Sequence, residues 1–200
     1  YGELYESKSF YSSGQLEYKE LNCNYTGLKL QSPIGPKQIG IKIEYYPNGQ
    51  LKGKKYTLKG KLGCHYLEVG ESLYYEENGN LVWRHYYNLE GKKHGEQLGY
   101  ADVETNPLKS KHYYVDGNQE GINWTYTEYI KSSVRNEPHE TMLVTCHKNG
   151  KILYSRLTNT LKRGKPCDMS KANVAVSEME KLKPFFKDLE KFFENLKERE

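Results

Sequence analysis

The sequence predicts an all-β chain. Residues 1–166 read as an elongated, twisted antiparallel sheet of repeated β-hairpins, and residues 167–200 as an amphipathic helical segment. Three observations carry this. Glycine-punctuated, tyrosine-rich units recur along the first part. The composition then changes near Pro166-Cys167: all 19 tyrosines lie at or before Tyr154 and all 18 glycines precede Asp168. Beyond that point apolar residues return at three- and four-residue steps, the period of one helix face.

The units align on a turn glycine. Residues 9–20, 44–61, 73–93 and 144–165 each run from an aromatic or polar strand through a turn ending in Gly to a Leu or Ile. The anchors are Gly14, Gly49, Gly79 and Gly150, and the long gap before Gly150 leaves room for a degenerate copy at 100–121. That copy has Asn106-Pro107 in the turn position and a long insert near 97–139, giving about five units in all. A second glycine follows each anchor, at Gly27, Gly60, Gly91, Gly117 and Gly164. Asn48-Gly49, Asn78-Gly79 and Asn149-Gly150 predict two-residue type I′ turns, in which both central positions take positive φ. Upstream of Asn48, Ile41, Ile43 and Tyr45 alternate with Lys42 and Glu44, as a half-buried strand requires. One hairpin alone is marginal, so neighbouring units must cover each other's edges.

Composition restricts the remaining classes. Val, Ile, Leu and Phe make 41 of 200 residues, too few for a thick doubly wound core. Tyrosine supplies the missing area, since each buried ring removes ~150–250 Å² from water. No apolar run reaches the ~18–20 residues of a membrane span. The first ten residues contain no signal-peptide core, and the chain opens at Tyr1, which leaves a cleaved leader or a trimmed start as alternatives. A net charge of +4 is too small to imply nucleic acid. Cys23, Cys64, Cys146 and Cys167 are scattered, neither a disulfide scaffold nor a zinc framework, and are expected as unpaired thiols. Cys64-His65 and Cys146-His147 are adjacent pairs, but neighbours on a strand point to opposite faces, so no metal or cofactor is expected. No nucleophile elbow, P-loop or Cys/His signature is present, and no catalytic residue is assigned.

Three groups of side chains are candidates for function. The pairs Tyr45-Tyr46, Tyr74-Tyr75, Tyr86-Tyr87 and Tyr113-Tyr114 recur at equivalent places, and with Trp83 they predict an aromatic, partner-binding sheet face. Within each pair the two rings point to opposite faces, so one packs the sheet and the other faces outward. Lys52, Lys54, Lys55, Lys92 and Lys93 cluster near the second glycines and would form a basic edge if hairpin ends align. In the tail, Met179, Leu182, Phe185, Phe186, Leu189, Phe192, Phe193 and Leu196 form one apolar stripe, with Ser177 and Glu180 as a capping box. Pro184 would kink that helix or mark its first turn. The stripe either caps one end of the sheet or pairs with a second molecule, as a homodimer or in capturing a partner.

Tyr45-Tyr46, Asn48-Gly49-Gln50-Leu51, Tyr56 and Gly60-Lys61 are followed by Tyr74-Tyr75, Asn78-Gly79-Asn80-Leu81, Tyr87, Gly91-Lys92 and Gly95-Glu96. This pattern resembles the MORN repeat, in particular the bacterial variant of YwqK-type antitoxin proteins. The resemblance is close over 40–96, looser at 9–27 and 140–165, and weak at 97–139. It implies a binding scaffold without a fixed catalytic residue, and an antitoxin or immunity protein that holds a toxin or effector protein. The alternatives are a scaffold on an anionic membrane surface using the lysine edge, and an enzyme using the 97–139 insert. The compartment would be the bacterial cytoplasm, or the envelope if a leader was removed before Tyr1.

Overall fold

The computed structural model describes residues 4–24, 38–59, 66–101, 107–127, 141–158 and 166–197. Gly27, Gly60, Gly164, Cys64, His65, Asn106 and residues 128–140 of the insert lie outside the described residues, as do the side chains of Phe192 and Leu196. The strands are β1 (Leu4–Phe10), β2 (Leu16–Asn24), β3 (Gln38–Tyr45), β4 (Leu51–Lys59), β5 (Tyr66–Tyr75) and β6 (Leu81–Tyr87). They continue as β7 (Gly95–Tyr100), β8 (Leu108–Val115), β9 (Asn118–Gln119), β10 (Gly121–Thr127), β11 (Thr141–Lys148) and β12 (Lys151–Thr158). All belong to one open antiparallel meander in sequence order, with the short β9 paired only to β8. A single helix, α1 (Ser170–Lys197), follows.

The turns correct the type I′ expectation at two of three sites. At Tyr11, Tyr46, Glu76 and Asn88 the N–H donates to the carbonyl four residues on, and the glycine three residues on donates back. That is a type I turn closed by a left-handed glycine, the three-residue hairpin loop. Asn48 and Asn78 keep negative φ, and their Oδ1 atoms accept from Gln50 N at 2.9 Å and Asn80 N at 2.8 Å. Positive φ at both central residues occurs at Asn149-Gly150 and Asp116-Gly117, where two-residue loops join paired strands. The pairing also shows that the anchors do not share one end of the sheet. Gly14, Gly49 and Gly79 lie at one end; Gly91, Gly117 and Gly150 lie at the other, where Gly117 N donates to Lys93 O and Gly150 N to Gln119 O.

The helix covers one face of the sheet rather than capping an end. Its stripe begins earlier than expected, at Ala172 and Ala175, and runs through Met179, Leu182, Phe186 and Leu189 to Phe193. The steps alternate three and four residues. Asp168 Oδ1 accepts Ser170 N at 2.9 Å at the true start, which holds the Asp168 carboxyl below its ordinary range. Ser177 and Glu180 therefore lie inside the helix, and so does Pro184. Phe185, Phe186, Leu189 and Phe193 enclose the main core with Leu21, Ile39, Ile41, Tyr56, Leu58 and Val69.

Three left-handed glycines seat the helix. Gly70 (φ 68°), Gly95 (φ 76°) and Gly121 (φ 71°) occupy equivalent places at two-strand intervals. A Cβ on Gly70 would meet the Phe186 ring at 2.5 Å, one on Gly95 would meet Met179 at 3.0 Å, and one on Gly121 would meet Met169 at 2.5 Å. The left-handed turn at Gly95 and Gly121 interrupts the backbone ladder, and a side chain two residues later repairs it. Gln97 accepts Tyr86 N at 3.1 Å and donates to Tyr86 O at 2.9 Å. Asn123 accepts Tyr113 N at 2.7 Å and donates to Gly121 O at 3.1 Å.

Two of the cysteines are paired, against the expectation of free thiols. Cys146 of β11 is bonded to Cys167, with Cα atoms 5.9 Å apart, and so holds the entry to α1 on the sheet. Cys167→Ser should lower unfolding stability by roughly 3 kcal/mol, the chain-entropy value for a loop of this length, measured by denaturation without reductant. Gly70→Ala should cost about 2–4 kcal/mol, combining left-handed strain with overpacking against Phe186. Gly14→Ala has φ 84° but open space around it, so it should cost only about 1–2 kcal/mol. Urea melts of both, repeated with Phe186→Leu, should show the difference shrinking.

Candidate functional site

The helix divides the side chains into a covered and an open face. Arg84-His85-Tyr86-Tyr87 and Lys111-His112-Tyr113-Tyr114 are repeats of one pattern, and Lys54-Lys55-Tyr56 is a partial copy. Strand alternation sends the first and third residues to the covered face and the second and fourth to the open one.

On the covered face each cation lies beside its tyrosine and an acid. Arg84 stands 5.2 Å from the Tyr86 ring, while Tyr86 OH donates to Glu71 Oε1 at 2.7 Å and Arg84 Nε lies 3.0 Å from the same oxygen. Lys111 stands 5.5 Å from the Tyr113 ring and 2.5 Å from Glu96. At Lys54 and Tyr56 the place of the acid is held by Ile41, and Glu190 of α1 pairs with both instead. Burial, then the Glu71 bond, raises the Tyr86 hydroxyl pKa; burial, then Glu190, raises that of Tyr56. These tyrosines are structural. A cleft of about 230 Å³ beside the helix is lined by Lys54, Tyr56, Glu71, Tyr86, Lys183 and Glu190. Its acids are already engaged by those cations and hydroxyls.

A second cleft, about 320 Å³, holds His94, Asp116 and Glu178. The His94 ring is buried, with Nδ1 3.1 Å from Asp116 and Nε2 2.9 Å from Glu178, and it ties the β8–β9 turn to α1. Among the described residues no group of three or more His, Cys, Asp or Glu could hold a metal ion.

The open face carries an aromatic platform. Tyr74 and Trp83 are cross-strand partners, flanked in the same row by Gly53 and Gly99. The Trp83 ring covers Gly99 so closely that any Cβ there would collide with it. Trp83 is nevertheless 44% exposed, and the outer ring Tyr66 is 46% exposed. His85 stands beside Trp83, 5.6 Å from its ring, 6.2 Å from Tyr74 and 6.3 Å from Tyr87. Glu68 accepts from Lys55 at 2.8 Å and Tyr74 at 3.4 Å. Burial, then Glu68, pushes Tyr74 up to about 12.

The partner-binding set read from the sequence is therefore divided. Tyr74, Trp83, Tyr87 and Tyr114 share the open face. Tyr86 is 4% exposed under the helix and Tyr113 lies on that same side, so neither belongs to an outward surface. Tyr45, Tyr46 and Tyr75 lie at the hairpin end, where Tyr11 OH donates to Tyr45 O at 2.9 Å and Tyr46 OH to Tyr75 O at 2.8 Å.

The basic edge does not form. Lys54 and Lys55 point to opposite faces, each paired with an acid, while Lys52 and the Lys92-Lys93 pair lie at opposite ends of the sheet. Leu182, Phe185, Phe186, Leu189 and Phe193 are covered by the sheet of their own chain. Period-2 alternation already puts His85 on one face with Trp83 and Tyr87, whereas Tyr66, Gly99 and the Glu68 carboxylate were missed. The cross-strand register that sets Trp83 against Gly99 becomes legible only once the repeat is aligned on Gly70 and Gly95.

Burial, and then Lys93, depress the His85 imidazole from its ordinary 6.5 to about 4. Unfolding restores the higher affinity for a proton. Stability from this group is therefore full above pH 6.5, falls as the pH drops, and levels off below about 4. His112 and His147 shift the same way, chiefly through burial. Urea midpoints at pH 7 and pH 5 should differ less in His85→Gln than in the parent chain.

In comparisons with known proteins, no family model, curated protein or solved structure matches the chain.

Proposed function

We propose that the chain is a non-catalytic protein-binding repeat module that recognises a partner protein through its open aromatic face. The observation that carries this reading is Trp83, laid over Gly99 between Tyr74 and His85 yet left 44% exposed at the middle of the sheet. Rigid aromatic rings offer large contact area at small entropic cost and dominate protein interfaces. The MORN-like turn pattern gives the reading its concrete form: the partner is a toxin or effector, and the chain is its antitoxin or immunity protein. The Cys146–Cys167 bridge favours an oxidising compartment for that encounter.

The test is photo-crosslinking in the native host from a benzophenone amino acid placed at Trp83, with one at the exposed Lys181 of α1 as control. A discrete protein adduct from position 83 alone is expected. Trp83→Ala should then weaken binding of that purified partner by at least about 30-fold, the effect of losing a central Trp anchor. Adducts only from position 181, or undiminished binding by a folded Trp83→Ala, Tyr87→Ala variant, would refute the proposal.

A further inference from the structure

The two outer strands of the sheet differ in kind. β1 presents Glu6 and Lys8 toward the covered face, where Glu6 pairs with Lys8 at 2.7 Å and with Lys19, and it presents Ser7 and Ser9 on the open face. Charges on an outer strand oppose further pairing. Along the matching stretch of β12 the one charge is Arg156 on the covered side, and leucines stand on the open side where β1 has serines. From the bulge at Ile152-Leu153 onward exposure alternates, so Leu153, Ser155 and Leu157 face out on the open side and Tyr154 and Arg156 lie on the covered side. Leu153 is 61% exposed and Leu157 57%, and Leu143, the partner of Leu157 on β11, is 39% exposed. Among the described residues β11 is the only strand beside β12. Arg156 Nε is buried without a hydrogen-bond partner among them.

The order Leu153-Tyr154-Ser155-Arg156-Leu157 is self-complementary about Ser155. An antiparallel copy related by a two-fold axis through Ser155, perpendicular to the sheet, keeps each face on its own side. Opposite residues then have equal parity, so Leu153 meets Leu157 of the second copy and Ser155 meets Ser155. On the other side Tyr154 meets Arg156, giving the guanidinium an aromatic ring as neighbour. With Leu143 behind each Leu157, a row of three leucines closes on either side of the Ser155 pair. We infer that β12 is a self-pairing edge through which two copies of this chain form a symmetric dimer with one continuous sheet. Both aromatic platforms would then face the same side. This inference does not depend on what the platform binds.

The full chain should sediment as a dimer that dissociates on dilution, and Leu153→Lys or Leu157→Lys should shift it to the monomer mass with unchanged circular dichroism. Ser155→Cys supplies the register test, because directly opposed residues bring their Cβ atoms within about 4.5–5.5 Å. Mild oxidation should yield a covalent dimer from Ser155→Cys and none from Leu153→Cys alone. A mixture of Leu153→Cys with Leu157→Cys should cross-link. A parent chain that stays monomeric at every concentration would overturn the inference. So would a dimer that survives both lysine substitutions, or one in which Ser155→Cys remains unlinked.

Discussion

The structure depends on a match between two repeats of different origin. A helix advances about 10.5 Å over seven residues, and two antiparallel strands span about 9.6 Å across a sheet. A helix lying across the strands with a heptad stripe therefore meets the same part of every second strand. Here Ala172, Met179 and Phe186 come down on the glycine turns that open β10, β7 and the latter half of β5. Each glycine lets the helix approach where a side chain would hold it away. The match is local: toward β3 the phenylalanines instead bury themselves among Ile39, Ile41 and Leu21.

That seat has a cost in hydrogen bonds, and the repeat contains its own remedy. Left-handed glycine breaks the ladder, stranding an N–H and a carbonyl in a buried place, where an unmade bond costs ~1–3 kcal/mol. Gln97 and Asn123 supply the missing partners from the same strand. The residue before Gly95 and before Gly121 has a further use: His94 Nδ1 accepts Asp116 N at 3.3 Å and Glu120 accepts Asn149 N at 2.6 Å, which fixes the following turn. At Gly95 and Gly121 the unit is thus a glycine with its two polar neighbours, and the turn at the hairpin end is its dependant; at Gly70 Val69 joins the core instead.

This explains which parts were legible in sequence. Alternation of Ile41, Ile43 and Tyr45, the change of composition at Pro166 and the phenylalanine spacing all reflect burial, and burial leaves a period. Turn type was less legible, because Asn-Gly at 48–49 and at 149–150 is the same dipeptide in two loop lengths. Only the paired flanks, Tyr45 with Leu51 and Lys148 with Lys151, distinguish them. Val69-Gly70-Glu71-Ser72 and His94-Gly95-Glu96-Gln97 read as strands interrupted by an ordinary glycine, so the helix seat gave no signal by itself. The first helical turns were missed for a related reason. Ala172 and Ala175 are small because the sheet is close, and small residues do not announce an apolar stripe.

Covering one face determines what the other can be. α1 supplies apolar depth on its side, and among the described residues no second layer covers the other side. The open face is then free to carry large, half-exposed rings. Those rings still need support, and two devices supply it: glycine beneath Trp83, and hydroxyl bonds such as Tyr74 to Glu68. Adjacent tyrosines divide along the same line. Tyr86 is locked between Arg84 and Glu71 under the helix, while Tyr87, one residue on, stands beside His85 on the platform. The pair Tyr86-Tyr87 therefore encodes both halves of the design, one ring under the helix and the next facing outward. Register, which any slip by one residue would invert, keeps the two roles apart.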